Sequence, residues 1–170
     1  MKLVLIVYYS RTEVTAKVAT ALARACGADL ERIQDLRPRT GISGFLRSAW
    51  QALRGTAVDI APAMRNPADY AFVILGTPVW AGRMSAPMRS YILQQRPHFR
   101  RIGLFCTMGG SGGRDVLSAM ADLCNKLPVA SMCLRQKDVL ADDYRVALTS
   151  FADELTVLQS ATPVAVAKPS

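Results

Sequence analysis

The chain has 170 residues, 51% of them hydrophobic, and a formal net charge of +8; that size suits one domain whose core needs no covalent staples. Its four cysteines (Cys26, Cys106, Cys124, Cys133) lie in apolar stretches without a C-x-x-C pair or a histidine cluster, so neither a zinc site nor a disulfide framework is indicated, and reduced thiols of a cytoplasmic protein are expected. No apolar run approaches the roughly 18 residues of a membrane span, and the positive charge favours anionic ligands, an acidic partner or loose association with nucleic acid and membranes without choosing among them.

Residues 3–9, LVLIVYY, form a continuous apolar run of strand length, as expected when both faces of a strand are buried. The run is short and leads into SRTEVT without a small-residue cleavage site, unlike a signal sequence. From Glu13 the pattern changes: Val14, Val18, Leu22 and Cys26 recur every four residues, which predicts a helix stopped by Gly27. DLERIQ (29–34) reads as a weak alternating strand, followed by the basic loop LRPRTG. In ISGFLRSAWQALRG, Phe45 or Leu46, Trp50 and Leu53 share one helical face, a spacing that suits core packing for Trp50.

AFVILG (71–76) is a second buried-strand run, and Ser85 precedes a helix carrying Pro87 in its first turn, where a missing N–H costs little. RIGLFCT (101–107) predicts the fourth strand and ends in GGSGG. Val116, Leu117, Met120, Leu123, Cys124 and Leu127 predict the next helix, and VASMCL (129–134) the fifth strand. A last helix is expected from near Asp142 and Asp143, acidic residues suited to a positive helix end, burying Tyr144, Leu148, Phe151, Leu155 and Leu158. ATPVAVAKPS has no period, so residues 1–160 are expected to form a single domain and 161–170 a loose tail.

Strands alternating with helices imply an α/β fold: a three-layer, doubly wound, parallel five-stranded sheet, because parallel neighbours need crossover connections. Ligands in such sheets bind outside the carboxyl ends of the strands, where the strand order reverses. The loops to examine therefore follow strands one, three and four: SRTEVT, TPVWAGRM (77–84) and TMGGSGGR (107–114). The first runs into a helix N-terminus, whose unpaired N–H groups and dipole favour an anion. Ser10, Thr12 and Thr15 add hydroxyls suited to phosphate oxygens, although one of them could simply cap the helix. The chain has neither a Walker G-K-[ST] loop nor a G-x-G-x-x-G fingerprint after the first strand.

SRTEVT, GTPVWAGRMSAP and FCTMGGSGG, in this order, resemble the flavin mononucleotide (FMN) loops of flavodoxin-like proteins, and the likeness extends over roughly residues 2–158. The resemblance implies a sheet of order 2-1-3-4-5 with FMN at the switch point. It implies phosphate contacts from Ser10, Arg11, Thr12, Val14 and Thr15. It implies that Thr77, Pro78, Val79, Trp80, Ala81 and Gly82 frame the isoalloxazine ring, while Thr107, Met108, Gly109, Gly110, Ser111 and Gly112 close its other edge. Trp80 also suits plain core packing.

One position departs from the family's [ST]-x-T-G-x-T pattern: Glu13 stands where the glycine is usual. A carboxylate about 7 Å from the phosphate would cost on the order of 0.6 kcal/mol at water-like dielectric and roughly 2.4 kcal/mol at an effective value of 20. FMN binding is then weakened rather than abolished.

With flavin bound, no catalytic acid or base is required of the protein, and the only histidine, His98, lies away from the three loops. The basic charge, with Arg83 and Arg114 inside the proposed flavin loops, favours an FMN-dependent oxidoreductase acting on an anionic small molecule such as NAD(P)H or a quinone-like acid. An electron carrier with an acidic partner protein is the related possibility. The alternative from another class is a flavodoxin-fold binding module that has lost FMN and works through a protein partner. A phosphoacceptor receiver domain needs carboxylates where Tyr9-Ser10 and Gly76-Thr77 stand.

Overall fold

Apolar runs with both faces buried become the inner strands of one sheet. The structure, a computed structural model, describes residues 2–36 and 58–160. Its strands are β1 (Lys2–Tyr8), β2 (Asp29–Arg32), β3 (Tyr70–Trp80), β4 (Arg83–Met84), β5 (Arg101–Met108) and β6 (Ala130–Arg135). The sheet runs β2-β1-β3-β5-β6, with β4 attached to β3. All pairings along that path are parallel. Set aside β4 and this is the expected 2-1-3-4-5 order, reversing between β1 and β3.

Side chains of the inner strands alternate between two cores, as the period-two geometry of a strand requires. Leu5 and Val7 of β1, Val73 and Leu75 of β3, and Ile102, Leu104 and Cys106 of β5 enter one core. Val4 and Ile6, Phe72 and Ile74, and Phe105 enter the other. The first core is covered by α2 (Ala86–Gln95) and α3 (Gly113–Cys124), through Met88, Tyr91, Ile92, Val116 and Met120. The second is covered by α1 (Val14–Cys26) and α5 (Arg145–Ser160), through Val14, Val18, Leu22, Phe151 and Leu155. Three layers result.

The helix ends follow their sequence signals. Gly27, left-handed at φ 58°, stops α1, and the Ser85 hydroxyl accepts the Met88 N–H at 3.4 Å to cap α2, with Pro87 in its first turn.

Several expectations are corrected. Residues 77–84 are not a loop: β3 continues to Trp80, pairing with β5 as far as Pro78 and with β4 at Val79 and Trp80. Those partners satisfy backbone groups beyond the apolar run. Ala81 and Gly82, at φ 48° and 71°, form the two-residue turn of the β3–β4 hairpin, as a type I′ turn requires. Leu127 lies outside the helix it was expected to join and is 92% exposed, because Asn125, left-handed at φ 51°, ends α3 before it. The last helix begins at Arg145 and not at the acidic pair: a short helix α4 (Gln136–Leu140) comes first, and Asp142 turns the chain at φ 59°. The Asp142 carboxylate meets Lys17 at 2.8 Å. The segment 37–57, with the helix read around Trp50, the side chain of Leu158 and the tail 161–170 lie outside the described residues.

The hairpin yields a stability prediction. An L-residue in the left-handed region costs about 1–2 kcal/mol, and asparagine tolerates that region best among non-glycine residues. Ala81→Asn is expected to stabilise the protein by about 1 kcal/mol, raising the thermal midpoint by roughly 2–4 °C in a chain of this size. A thermal melt followed by circular dichroism checks it; an unchanged or lowered midpoint refutes the turn assignment.

Candidate functional site

The three stretches following β1, β3 and β5 converge at the carboxyl edge of the sheet. Beyond the end of β1, the Tyr9 N–H still donates to the Gly76 carbonyl at 3.0 Å, so the first turn starts from a fixed point on β3. Ser10 is then buried, and its hydroxyl accepts the Ala16 N–H at 3.2 Å. The Lys17 N–H bonds to the Glu13 carbonyl at 2.9 Å, the opening bond of α1. The N–H groups of Val14 and Thr15, the first two residues of α1, have no acceptor within the helix.

Pairwise contacts tie the stretches together. The Tyr9 and Trp80 rings meet edge to face with centroids 5.7 Å apart, a favourable geometry for aromatic pairs. The Thr15 and Thr107 hydroxyls lie 2.8 Å apart in a buried contact. A Cβ on Gly112 would stand 3.2 Å from the Cα of Gly82, so the glycines let the β3–β4 hairpin and the segment after β5 touch backbone to backbone.

The hydroxyls singled out from the sequence have separate tasks. Ser10 caps the Ala16 N–H, Thr15 bonds across to Thr107, and Thr12 is exposed. One hydroxyl of the Thr15–Thr107 pair donates to the other, which leaves a second hydroxyl hydrogen free to turn outward. Thr77 is fully buried; its hydroxyl contacts the Ser85 hydroxyl at 3.0 Å and accepts the Ser85 N–H at 3.0 Å, so it braces the hairpin against the start of α2. Pro78, Val79, Trp80 and Met108 are half-buried, as are Arg11 and Gly112. Ala81, Gly82, Gly109, Gly110 and Ser111 are exposed, and a Cβ on Gly109 or Gly110 would meet nothing within 4 Å. Arg83 and Arg114 are exposed on the β4 side of the hairpin and in the first turn of α3. His98 is exposed at the opposite end of the sheet, ahead of β5.

Glu13 keeps the backbone conformation that glycine would supply, at φ 62° and ψ −2°. Its side chain is 64% exposed and pairs bidentately with Arg32, at 2.6 Å and 3.2 Å. Arg32 also donates to the Ser10 carbonyl at 2.8 Å. One guanidinium at the end of β2 thus fixes the first turn at two points and neutralises its carboxylate. Hydrogen bonding to Glu13 strengthens the hold on the Arg32 proton. Burial raises the Tyr8 phenol, which Arg32 partly offsets.

Arg32 escaped the sequence reading. The register Tyr8↔Arg32 puts it beside the end of β1, so the signal was an arginine closing a strand at the ligand edge. Its partner Glu13 is 19 residues away, beyond any local spacing rule.

A sequence profile of the family described as flavodoxin matches residues 3–142. Among solved structures, a flavoprotein from Lactobacillus acidophilus in complex with FMN is similar at a TM-score of 0.67 and 20% identity, covering 85% of this chain and 99% of that one. The apo form of the flavoprotein from the same organism gives 0.60 and 20%, covering 79% and 92%. The two-electron reduced flavodoxin of Megasphaera elsdenii gives 0.53 and 20%, covering 90% and 95%. At these identities the likenesses speak for the fold. No functionally curated protein matches the sequence significantly.

Proposed function

The chain belongs to the flavodoxin family, and on that premise we propose that it binds FMN at the three-stretch edge and works as an FMN-dependent oxidoreductase or electron carrier. The observation that carries this reading is the convergence itself: Tyr9–Trp80, Thr15–Thr107 and Gly82–Gly112 hold together an open helix N-terminus, a half-buried indole and an exposed glycine run. The residues present fit the cofactor. Val14 and Thr15 N–H groups, with the hydroxyls of Ser10, Thr12 and Thr15 and the charge of Arg11, would hold the phosphate. Trp80 offers an aromatic face, and the 109–112 backbone approaches a flat ring without side-chain clash.

Bound FMN would supply reversible one- and two-electron transfer. The protein's part is to bind, orient and set the charge around the ring. Arg83 on β4 and Arg114 in the first turn of α3, both exposed, favour an anionic reductant such as NAD(P)H or a quinone-like acid, or the acidic face of a redox partner. The one feature that favoured a flavin-free binding module, the Glu13 carboxylate, is paired with Arg32.

The test is the visible spectrum of purified protein after FMN addition and removal of the unbound excess. Near-equimolar retained flavin is expected, together with NADH- or NADPH-dependent bleaching if the donor is a nicotinamide nucleotide. Protein that retains no flavin refutes the FMN reading. Retained flavin that neither nucleotide bleaches directs attention to a protein donor.

A further inference from the structure

Flanking the 109–112 segment, the sulfur atoms of Cys106, Cys133 and Met108 make contacts with one another and with Gly113 that the flavin reading does not use. Cys106 on β5 and Cys133 on β6 stand opposite each other in the parallel register, with Sγ atoms 3.3 Å apart. Cys106 is fully buried and its thiol lies 3.6 Å from the Gly113 carbonyl. Cys133 is half-buried and donates toward the Met108 Sδ at 3.6 Å. The two thiols therefore reach the residues on either side of the glycine run, Met108 before it and Gly113 after it. The packing is close: a Cβ on Gly113 would fall 2.0 Å from the Cys133 Sγ.

We propose that Cys106 and Cys133 are a modification site, a dithiol that a hydroperoxide converts to a cross-strand disulfide, releasing the thiol contacts that hold both ends of the 109–112 segment. Parallel neighbours run about 4.8 Å apart, inside the roughly 4.4–6.8 Å range of Cα separations that a disulfide spans. The sulfurs need to approach by only about 1.3 Å to reach bonding distance.

The chemistry balances with the hydroperoxide as two-electron oxidant. Cys133, the more exposed thiol, attacks the distal peroxide oxygen as thiolate; the O–O bond breaks, giving Cys133 sulfenic acid and an alcohol or water. The Cys106 sulfur then attacks the Cys133 sulfur. The S–O bond breaks, the S–S bond forms, and the Cys106 proton leaves with the hydroxyl as water. Burial and the neighbouring Cys133 hold the Cys106 thiol protonated, which makes this second step the slow one. A dithiol reductant reverses the sequence. Oxidation removes both S–H donors, so the contacts to the Gly113 carbonyl and the Met108 sulfur are lost while the Cys133 sulfur moves toward Cys106.

The experiment treats the purified protein with hydrogen peroxide, blocks remaining thiols in denaturant and maps the peptides. The expected result is loss of two of the four thiols, an intact mass lower by two hydrogens, Cys106 and Cys133 peptides joined within one chain, and recovery with dithiothreitol. Cys106→Ser should leave Cys133 trapped by dimedone as sulfenic acid. Modification confined to Cys26 or Cys124, singly over-oxidised Cys133, or linkage only between chains overturns the proposal. Hydrogen exchange over 109–116 should be several-fold faster in the oxidised form; a disulfide that leaves exchange unchanged overturns the release of the segment. None of these readouts requires flavin, so they stand apart from the FMN reading.

Discussion

Gly76→Ala is expected to lower stability by about 3 kcal/mol, a fall of roughly 6–12 °C in thermal midpoint for a domain of this length. The cause is the Phe105 ring, which lies across the glycine from the adjacent strand in register. A Cβ at position 76 would stand 2.0, 2.3 and 2.7 Å from its Cζ, Cε1 and Cε2 atoms. The ring is fully buried in the core under α1 and α5, so it has no solvent to swing into, and close-packed interiors relax only in part. The same shift would reach the site, because the Gly76 carbonyl accepts the Tyr9 N–H that anchors the first turn. Phe105→Leu in the same chain should recover much of the loss. The double variant should then be more stable than the sum of the two single effects, by an amount a double-mutant cycle reads directly. A midpoint for Gly76→Ala within about a degree of the parent would mean that the ring yields at almost no cost, and the packing argument would fall.

How far such features show in the sequence depends on whether their cause is local. The runs 3–8 and 71–76 were legible as strands because burial on both faces forces continuous apolar residues. Ser85 with Pro87 announced α2 for the same reason, since capping is a matter of neighbouring residues. The extension of β3 from Thr77 to Trp80 was not legible, because its pairing is supplied by β5 up to Pro78 and by β4 at Val79 and Trp80 and leaves no apolar pattern. Ala81 at positive φ carries no side-chain signal at all. Leu127 looked helical by spacing, and a left-handed Asn125 two residues earlier made it surface. At the site, the three stretches could be identified by order and composition. What joins them could not: Thr15 of α1 meets Thr107 of β5 over 92 residues by the packing of helix on sheet, and Cys106 meets Cys133 over 27 residues by strand register.

Arg32→Ala is the substitution expected to affect FMN most, and Glu13 determines how the result is interpreted. In the native pair the carboxylate of Glu13 and the guanidinium of Arg32 nearly cancel at the distance of a phosphate on α1. Removing Arg32 leaves an uncompensated negative charge there and takes the donor from the Ser10 carbonyl. One unit charge about 7 Å from another is worth roughly 0.6–2.4 kcal/mol between the dielectric limits of water and protein surface. Exposures of 42% and 64% for the two side chains place this pair toward the weaker limit. An FMN phosphate carries more than one charge, so a loss of about 1.4 kcal/mol, or tenfold in Kd, is expected. Glu13→Gly should act the other way: it frees Arg32 as a cation facing the phosphate and relieves about 1 kcal/mol of left-handed strain. Combining the two should return affinity close to that of the parent, since the charges leave together. Fluorescence quenching of FMN at two salt concentrations checks all three variants, and the differences should shrink at high salt because both side chains face water. If Arg32→Ala binds FMN as tightly as the parent at low salt, the first turn holds phosphate without help from β2. Glu13 would then be a harmless surface substitution, with no charge effect for Arg32 to cancel.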